Sequence, residues 1–396
     1  MSETRATSRA KIYWTAFIGL FFDYYDLYLF VYLEKGLAAH FALTDAQSNL
    51  AQFAGLAGVG AGSLLFGWLA DLFGRGRMML TVFVVYAVGI AGLSLAWDFG
   101  SLVAFRLLAS LALGAEWGIS HTYLAERVDR VTRYRFSALL QFSILGGLLA
   151  ALAARYLLPA WGWRWLFAAS IVPVAVLSLI RWRVLAGEGA GKAPGGDLPE
   201  VVLPGQNHRG ARATWAALRA NAVPFGLCFG IASLTIASGT INVFFAKDLP
   251  QGTLYTMFFW FNVAPGMLFG AWIVRRFGVT RALSIYAVAL TVLSLFAWAS
   301  TWPDRKLAFA LGLPLLNGIP LGLMGAYFNE VFGQYRTMFS GTAYNLGRIL
   351  AGFSPALITA LGLHQGGNYF LFTAVLGAGV LMLGRGVWAH DRCRIK

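Results

Sequence analysis

Six ionisable residues stand inside long apolar runs of this 396-residue chain: Asp23, Asp26, Arg106, Glu116, His121 and Arg348. A charged side chain at apolar depth costs about 2.5–3.5 kcal/mol on insertion scales, so each is a functional candidate by default. Asp23 and Asp26 are spaced i,i+3 and would share one helix face. Two close carboxylates in a low-dielectric site do not both ionise. One of them holds a proton that it can give up, and this is the physical requirement for moving protons. Arg348 lies in a run without an acid, and a guanidinium there needs an anion, which a carboxylate ligand supplies bidentately. Each residue also has a structural reading. Asp26 and Arg106 would make a fixed strut, and Asp23 would hydrogen-bond a neighbour. Glu116 would hold a backbone group, a tyrosine or Arg348, and His121 would pack.

These residues matter because of what surrounds them. The chain is 58% hydrophobic and 12% charged, with 46 glycines and a mean hydropathy of +0.65. An average soluble protein is about a quarter charged. So few charges cannot keep a soluble surface wet, which excludes an ordinary cytosolic enzyme, a nucleic-acid module and a disordered chain. Cys228 and Cys393 make neither a disulfide scaffold nor a zinc cluster. With no nucleophile elbow or phosphate loop either, the chain reads as a non-enzyme without metal or cofactor.

The elements that must position the six residues are membrane-spanning helices. Runs long enough to cross a bilayer recur at about 12–35, 46–70, 78–97, 101–126, 136–158, 164–183, 221–246, 252–274, 280–300, 306–331, 337–363 and 367–387. That predicts an all-α membrane protein of twelve spans. The first run carries two aspartates and follows only a few polar residues, so it reads as retained rather than as a cleaved signal. With both termini in the cytoplasm, the inner segments hold 23 Lys and Arg and the outer ones six. This is a strong positive-inside bias, and it turns the net charge of +14 into an orientation at a cell membrane. Arg181 to Arg219 fall in one inner segment by this reading. At 1.5 Å per residue, Asp26 and Arg106 lie at similar depth below the outer face and are placed to meet. Glu116 and Arg348 both fall near the midplane.

Residues 184–220 are Gly/Pro-rich and lack apolar periodicity, as a flexible cytoplasmic linker would. The expected parts are a cytoplasmic N-terminus (1–11), a six-helix bundle (12–183), the linker (184–220), a second bundle (221–387) and a tail (388–396). A shift of 204 residues places FRLLASLALGAEWGISHTYLAE over FALGLPLLNGIPLGLMGAYFNE. It brings Gly114 onto Gly318, Gly118 onto Gly322, Tyr123 onto Tyr327 and Glu126 onto Glu330. The same shift puts Gly74 on Gly278 and Arg77 on Arg281. Internal repeats of this kind mark secondary transporters, whose site lies near the midplane between the repeats.

The turn after the second run reads Gly67-Trp-Leu-Ala-Asp71-Leu-Phe-Gly74-Arg75-Gly-Arg77. It resembles the loop signature of the major facilitator superfamily, with Leu72 in place of the usual first Arg. DYYDLYLF in the first run is similar to the paired-acid signature of the metabolite:proton and aromatic-acid:proton symporter branches. Arg106…Gly114-Ala-Glu116-Trp117-Gly118 resembles their fourth-helix motif, with Ala115 replacing a Gly. Glu126…Arg133-Tyr-Arg135…Gln141…Gly146, Gly162-Trp163-Arg164 and Gly341-Thr-Ala-Tyr344-Asn345-Leu-Gly347-Arg348 match the same group.

The resemblance implies two pseudo-symmetric six-helix bundles that rock around a central site. Asp26, with Asp23, Arg106, Glu116 and His121, is the expected proton-coupling set. Arg348, Tyr344, Asn345, Glu116 and Gln141 are the expected substrate contacts, for a small organic anion. In the resembling family, residues such as Asp71, Arg75, Arg77, Glu126, Arg133, Arg135, Glu330 and Arg336 form a cytoplasmic gate; solvated loop charge is the plainer alternative. Asn242, Asn262 and Asn317 would line a cavity or join helices by hydrogen bonds. The 14 Trp are read mostly as lipid-facing anchors, the glycines as close helix contacts, and GVGAG at 58–62 as a bend. The expected partners are the substrate, protons and the lipid bilayer, with no nucleic acid and a monomer as the working unit. Sugar uptake or drug efflux by the same fold stays open, as does a transport-inactive sensor or lipid-handling protein.

Overall fold

The computed structural model describes residues 2–187, 217–246, 252–302, 304–333, 335–363 and 367–395. Among them there is no strand. In chain order the helices are α1 (Ser2–His40), α2 (Asp45–Phe73), α3 (Arg75–Ser94), α4 (Phe99–Ala125), α5 (Arg130–Gln141), α6 (Gly146–Tyr156) and α7 (Leu158–Gly187). They continue with α8 (Ala222–Ala246), α9 (Gly252–Phe277), α10 (Val279–Ala299), α11 (Arg305–Val331), α12 (Arg336–Gly352), α13 (Ser354–Ala360) and α14 (Asn368–Ile395).

Ten helical stretches among the described residues are long and apolar enough to cross a membrane. The expected span at 136–158 is α5 and α6 joined by a 3₁₀ turn over Phe142–Leu145. The expected span at 252–274 is α9, and that at 337–363 is split into α12 and α13. Most of the expected linker, residues 188–216, lies outside the described residues.

Local sequence sets the boundaries. Thr44 and Gln47 cap α2 reciprocally, and Asp98 and Ser101 do the same for α4. These boxes satisfy backbone N–H groups that a helix start leaves orphaned. Gly74 separates α2 from α3 at φ 95°, and Gly278 separates α9 from α10 at φ 86°. Both are left-handed values that glycine adopts without a Cβ penalty. They are repeat mates.

The repeat is also visible in packing. A Cβ on Gly62 of α2 would strike the Leu111 carbonyl of α4, and one on Gly266 of α9 would strike the Leu315 carbonyl of α11. Gly114 sits against the Val59 carbonyl as Gly318 sits against that of Val263. All four pairs are related by the 204-residue shift. GVGAG therefore serves close contact, and α2 runs unbroken through it.

The chain forms two compact units. The first holds Met1–Arg130, Phe142–Leu203 and Gly333–Asn345; the second holds Val131–Gln141, Pro204–Phe332 and Leu346–Lys396. Each unit thus contains a short segment from the other half of the repeat.

Candidate functional site

In the first unit, Asp26 is 1% exposed at the middle of α1. Its Oδ1 accepts a hydrogen bond from Ser170 Oγ of α7 at 2.9 Å, and its Oδ2 has no hydrogen-bond partner. Arg106 of α4 is buried close enough for its charge to act on Asp26, but no hydrogen bond or ion pair joins them directly. The guanidinium lies 3.9 Å above the Phe30 ring, in space left by Gly55 of α2, where a Cβ would come within 2.7 Å of its Nε. Asp23 is buried one turn before Asp26. The two carboxylates therefore share a face, and Ser170 is the partner that sequence reasoning missed.

Glu116 is occupied elsewhere. Arg181 of α7 grips it through both guanidinium nitrogens, Nη2 to Oε1 and Nη1 to Oε2, the latter at 3.2 Å. Ser120 Oγ donates to Glu116 Oε1 at 2.6 Å, and Arg181 Nε donates to the Thr15 carbonyl of α1 at 3.0 Å. The guanidinium also covers the Phe83 ring of α3 at 4.1 Å, and Gly19 of α1 leaves it room. Arg181 is therefore not a loop cation. The apolar window ends near residue 183, but α7 runs on to Gly187, which carries Arg181 more than a turn inside the helix. It also replaces Arg348 as the partner of Glu116.

Also within the first unit, α4 and the start of α12 cross in backbone contact. A Cβ on Gly118 would lie 2.9 Å from Gly341 Cα. Asn345 Nδ2 donates to the Gly114 carbonyl at 2.8 Å and to that of Gly341 at 3.1 Å, while its buried Oδ1 has no partner. Beside the crossing, Trp117 and Tyr344 stack with ring centroids 3.8 Å apart and planes 2° from parallel. Tyr344 shares a hydrogen bond with the Tyr24 hydroxyl of α1 at 3.0 Å. The His121 ring lies 4.4 Å from that of Trp117. Trp117 is thus buried and not a lipid anchor. In the second unit, Arg348 of α12 is half-buried and Gln141 is buried at the end of α5.

The expected gate residues fall into two clusters. In the first unit, Arg75 bridges Asp71 at 2.8 Å and Glu126 at 2.9 Å, and Arg336 reaches Glu126 at 3.2 Å. Asp71 accepts the backbone N–H groups of Thr337 at 3.1 Å and Met338 at 2.9 Å. A carboxylate on the first turn of α12 meets the positive end of the helix dipole. In the second unit, Arg133 of α5 pairs with Glu330 of α11 at 2.7 Å, and the Tyr134 hydroxyl donates to the same carboxylate at 2.7 Å. Arg77 and Arg135 are exposed and enter no ion pair among the described residues; for them the solvated reading fits.

The second unit also holds a neutral network. Asn317 Oδ1 accepts from Ser238 at 3.0 Å and from the Tyr286 hydroxyl at 2.9 Å, which joins α8, α10 and α11. Asn317 is thus a helix–helix contact. Asn262 is half-buried and reaches the Leu311 carbonyl at 3.3 Å; the Asn242 side chain lies outside the described residues.

Comparison with known proteins bears on this arrangement. The sequence model of the Major Facilitator Superfamily matches residues 16–358. The cis,cis-muconate transport protein of Acinetobacter baylyi is 28% identical, over 93% of this chain and 91% of that protein. The niacin transporter NiaP of the same organism is 25% identical, over 92% and 90%. Among solved structures, the Major Facilitator Superfamily transporter FucP in an outward conformation aligns with a TM-score of 0.75 at 14% identity, over 95% of this chain and 97% of that one. The proton:xylose symporter XylE aligns at 0.71 and 16% identity, over 97% and 96%.

Proposed function

Because the chain belongs to the Major Facilitator Superfamily, a family of membrane transporters, we propose that it is a proton-coupled symporter of a small organic anion. In this reading it sits in the cell membrane with both termini in the cytoplasm, and two six-helix bundles joined by residues 184–220 rock about a central site. One observation carries the coupling: Asp26 is buried beside a buried arginine with one carboxylate oxygen left without a hydrogen-bond partner. A carboxylate so placed is costly to keep ionised and easy to protonate from a pathway that opens to it.

Ser170 orients the carboxylate, and Arg106 stabilises it once the proton has left. Asp23, on the same face, is the second proton position, and His121 relays. Arg348 supplies the cation for a substrate carboxylate. Two relatives are named for niacin and cis,cis-muconate, both small carboxylates, and this supports the anion reading. Glu116 drops out of the proposed substrate set because Arg181 and Ser120 already occupy it.

Alternating access would use the two helix-end clusters as a cytoplasmic gate. Glu126 pairs with Arg336 and Glu330 with Arg133, and the two glutamates are repeat mates. Each pair joins a helix of one sequence half to the start of a helix from the other, so rocking would break both.

The deciding experiment is uptake of a radiolabelled organic acid into proteoliposomes with and without an inward proton gradient. The wild type is expected to concentrate substrate only with the gradient. Asp26→Asn is expected to lose this concentration but to keep gradient-independent substrate exchange. Equal accumulation with and without the gradient overturns the coupling.

A further inference from the structure

On the reading that the central site takes a small organic anion, we propose that Trp117 is the platform for a flat, conjugated carboxylate, and that Tyr344 holds its place when the site is empty.

Three observations lead there. First, Trp117 and Tyr344 stack almost face to face, 3.8 Å apart and 2° from parallel. Two electron-rich rings prefer offset or edge-on arrangements, because their negative faces repel. An electron-poor flat system, such as a ring or diene conjugated to a carboxyl group, suits the indole face better than a phenol does. Tyr344 is thus a displaceable occupant.

Second, the stack lies where displacement is geometrically available. Trp117 is on α4 and Tyr344 on α12, helices from opposite halves of the 204-residue repeat, in contact through Gly118 and Gly341. A motion that parts these two helices would separate the rings and bare the indole. Third, polar groups for an acid lie in the same turn. Arg348 is four residues beyond Tyr344 on α12, about 5–6 Å away between Cβ atoms. The adjacent Asn345 presents a buried Oδ1 without a hydrogen-bond partner, an acceptor for a protonated carboxyl group.

Displacement would also reach the proton site. The Tyr344 hydroxyl is bonded to that of Tyr24, which lies between Asp23 and Asp26 on α1. A ligand that moves Tyr344 off Trp117 breaks this bond and so reports its arrival to the helix that carries the acids.

The test is direct binding of radiolabelled benzoate and cyclohexanecarboxylate to the purified full chain in nanodiscs. The two acids share a carboxylate and a six-carbon ring, and only benzoate is flat. The wild type is expected to favour benzoate by about three- to tenfold. Trp117→Leu should bring the ratio near one while cyclohexanecarboxylate still binds, and Trp117→Phe, with its smaller face, should give an intermediate ratio. Tyr344→Leu should tighten benzoate binding, because the competing ring is gone. An unchanged ratio in both Trp117 variants overturns the proposal, as does equal weakening of both acids in Tyr344→Leu. If Trp117→Leu does not yield monodisperse protein, Trp117→Phe and Tyr344→Leu decide. Equal wild-type affinity for the two acids sinks this inference and leaves the anion reading standing. Failure of the wild type to bind either acid sinks both.

Discussion

Asp26 and Glu116 are both buried carboxylates of the first unit, yet their surroundings give them opposite characters. Glu116 is saturated by a two-pronged guanidinium and a serine hydroxyl, whereas Asp26 has one hydrogen bond and an oxygen to spare. Removing one partner from a buried ion pair leaves the other charge uncompensated, at a cost of about 3–5 kcal/mol. Arg181→Met should therefore lower the melting temperature of the purified protein sharply, and Arg181→Met with Glu116→Leu should recover most of the loss. Asp26→Asn should leave the melting temperature nearly unchanged or raise it, since it removes a poorly solvated charge. At the substrate end, Arg348→Ala should raise KM for an organic acid by roughly tenfold or more, the loss of a charge-assisted bidentate contact of about 1.5–3 kcal/mol. An unchanged KM removes Arg348 from the site.

At the scale of the element, the helix pairs α2/α4 and α9/α11 depend on glycines that admit a carbonyl oxygen where a Cβ would stand. Gly62→Val and Gly266→Val should each destabilise by at least about 1–3 kcal/mol, seen as lost yield of monodisperse protein or a lower melting temperature. A Cβ on Gly226, in α8, would meet nothing within 4 Å, so Gly226→Ala should not destabilise and should stabilise slightly, as alanine does in a helix. Helix starts add a pH-dependent part. The Ser101 backbone N–H, with the Ser101 side chain, holds the Asp98 carboxyl below its ordinary range. A depressed folded value means that this contribution is present above the ordinary carboxylate range. It is lost as pH falls through the lowered value. Asp98→Asn, which keeps a capping oxygen but does not titrate, should flatten that part of the melting temperature's acid dependence.

The whole molecule is a repeat with deliberate breaks in its symmetry. Glu126 and Glu330 are equivalent and both bind an arginine at the start of another helix. Asp71 has no such mate, because the shift of 204 places Arg275 there. Asp71 thus gives the α12 start a carboxylate on its backbone N–H groups that the 204-residue shift does not repeat at position 275. Asp71→Asn should keep hydrogen-bonding capacity but lose charge–dipole attraction of about 0.3–1 kcal/mol and the ion pair to Arg75. The proposed gate should then open more readily, measured as faster labelling of a cysteine placed beside Thr337. Unaltered labelling in both Asp71→Asn and Glu126→Gln would mean that these contacts do not hold the gate shut.

The apolar runs, the repeat and the burial of Asp26, Arg106 and Glu116 were legible in the sequence, because each follows from hydropathy, spacing and the cost of charge in an apolar setting. Gly74 and Gly278 showed as turns, whereas Gly62, read as part of a bend at 58–62, is a close helix contact like Gly266. What hydropathy does not encode is which residues meet. Ser170 and Tyr24 look like any polar residue in an apolar run until α1 brings Asp26 to the one and α12 brings Tyr344 to the other. Arg181 looked like a loop cation because a window of apolar residues ends where a helix need not. Partner choice between buried charges depends on side-chain reach across helices that are distant in sequence. The tertiary structure therefore decided that Glu116 belongs to Arg181, that Asp26 keeps a free oxygen, and that Trp117 faces Tyr344 rather than lipid.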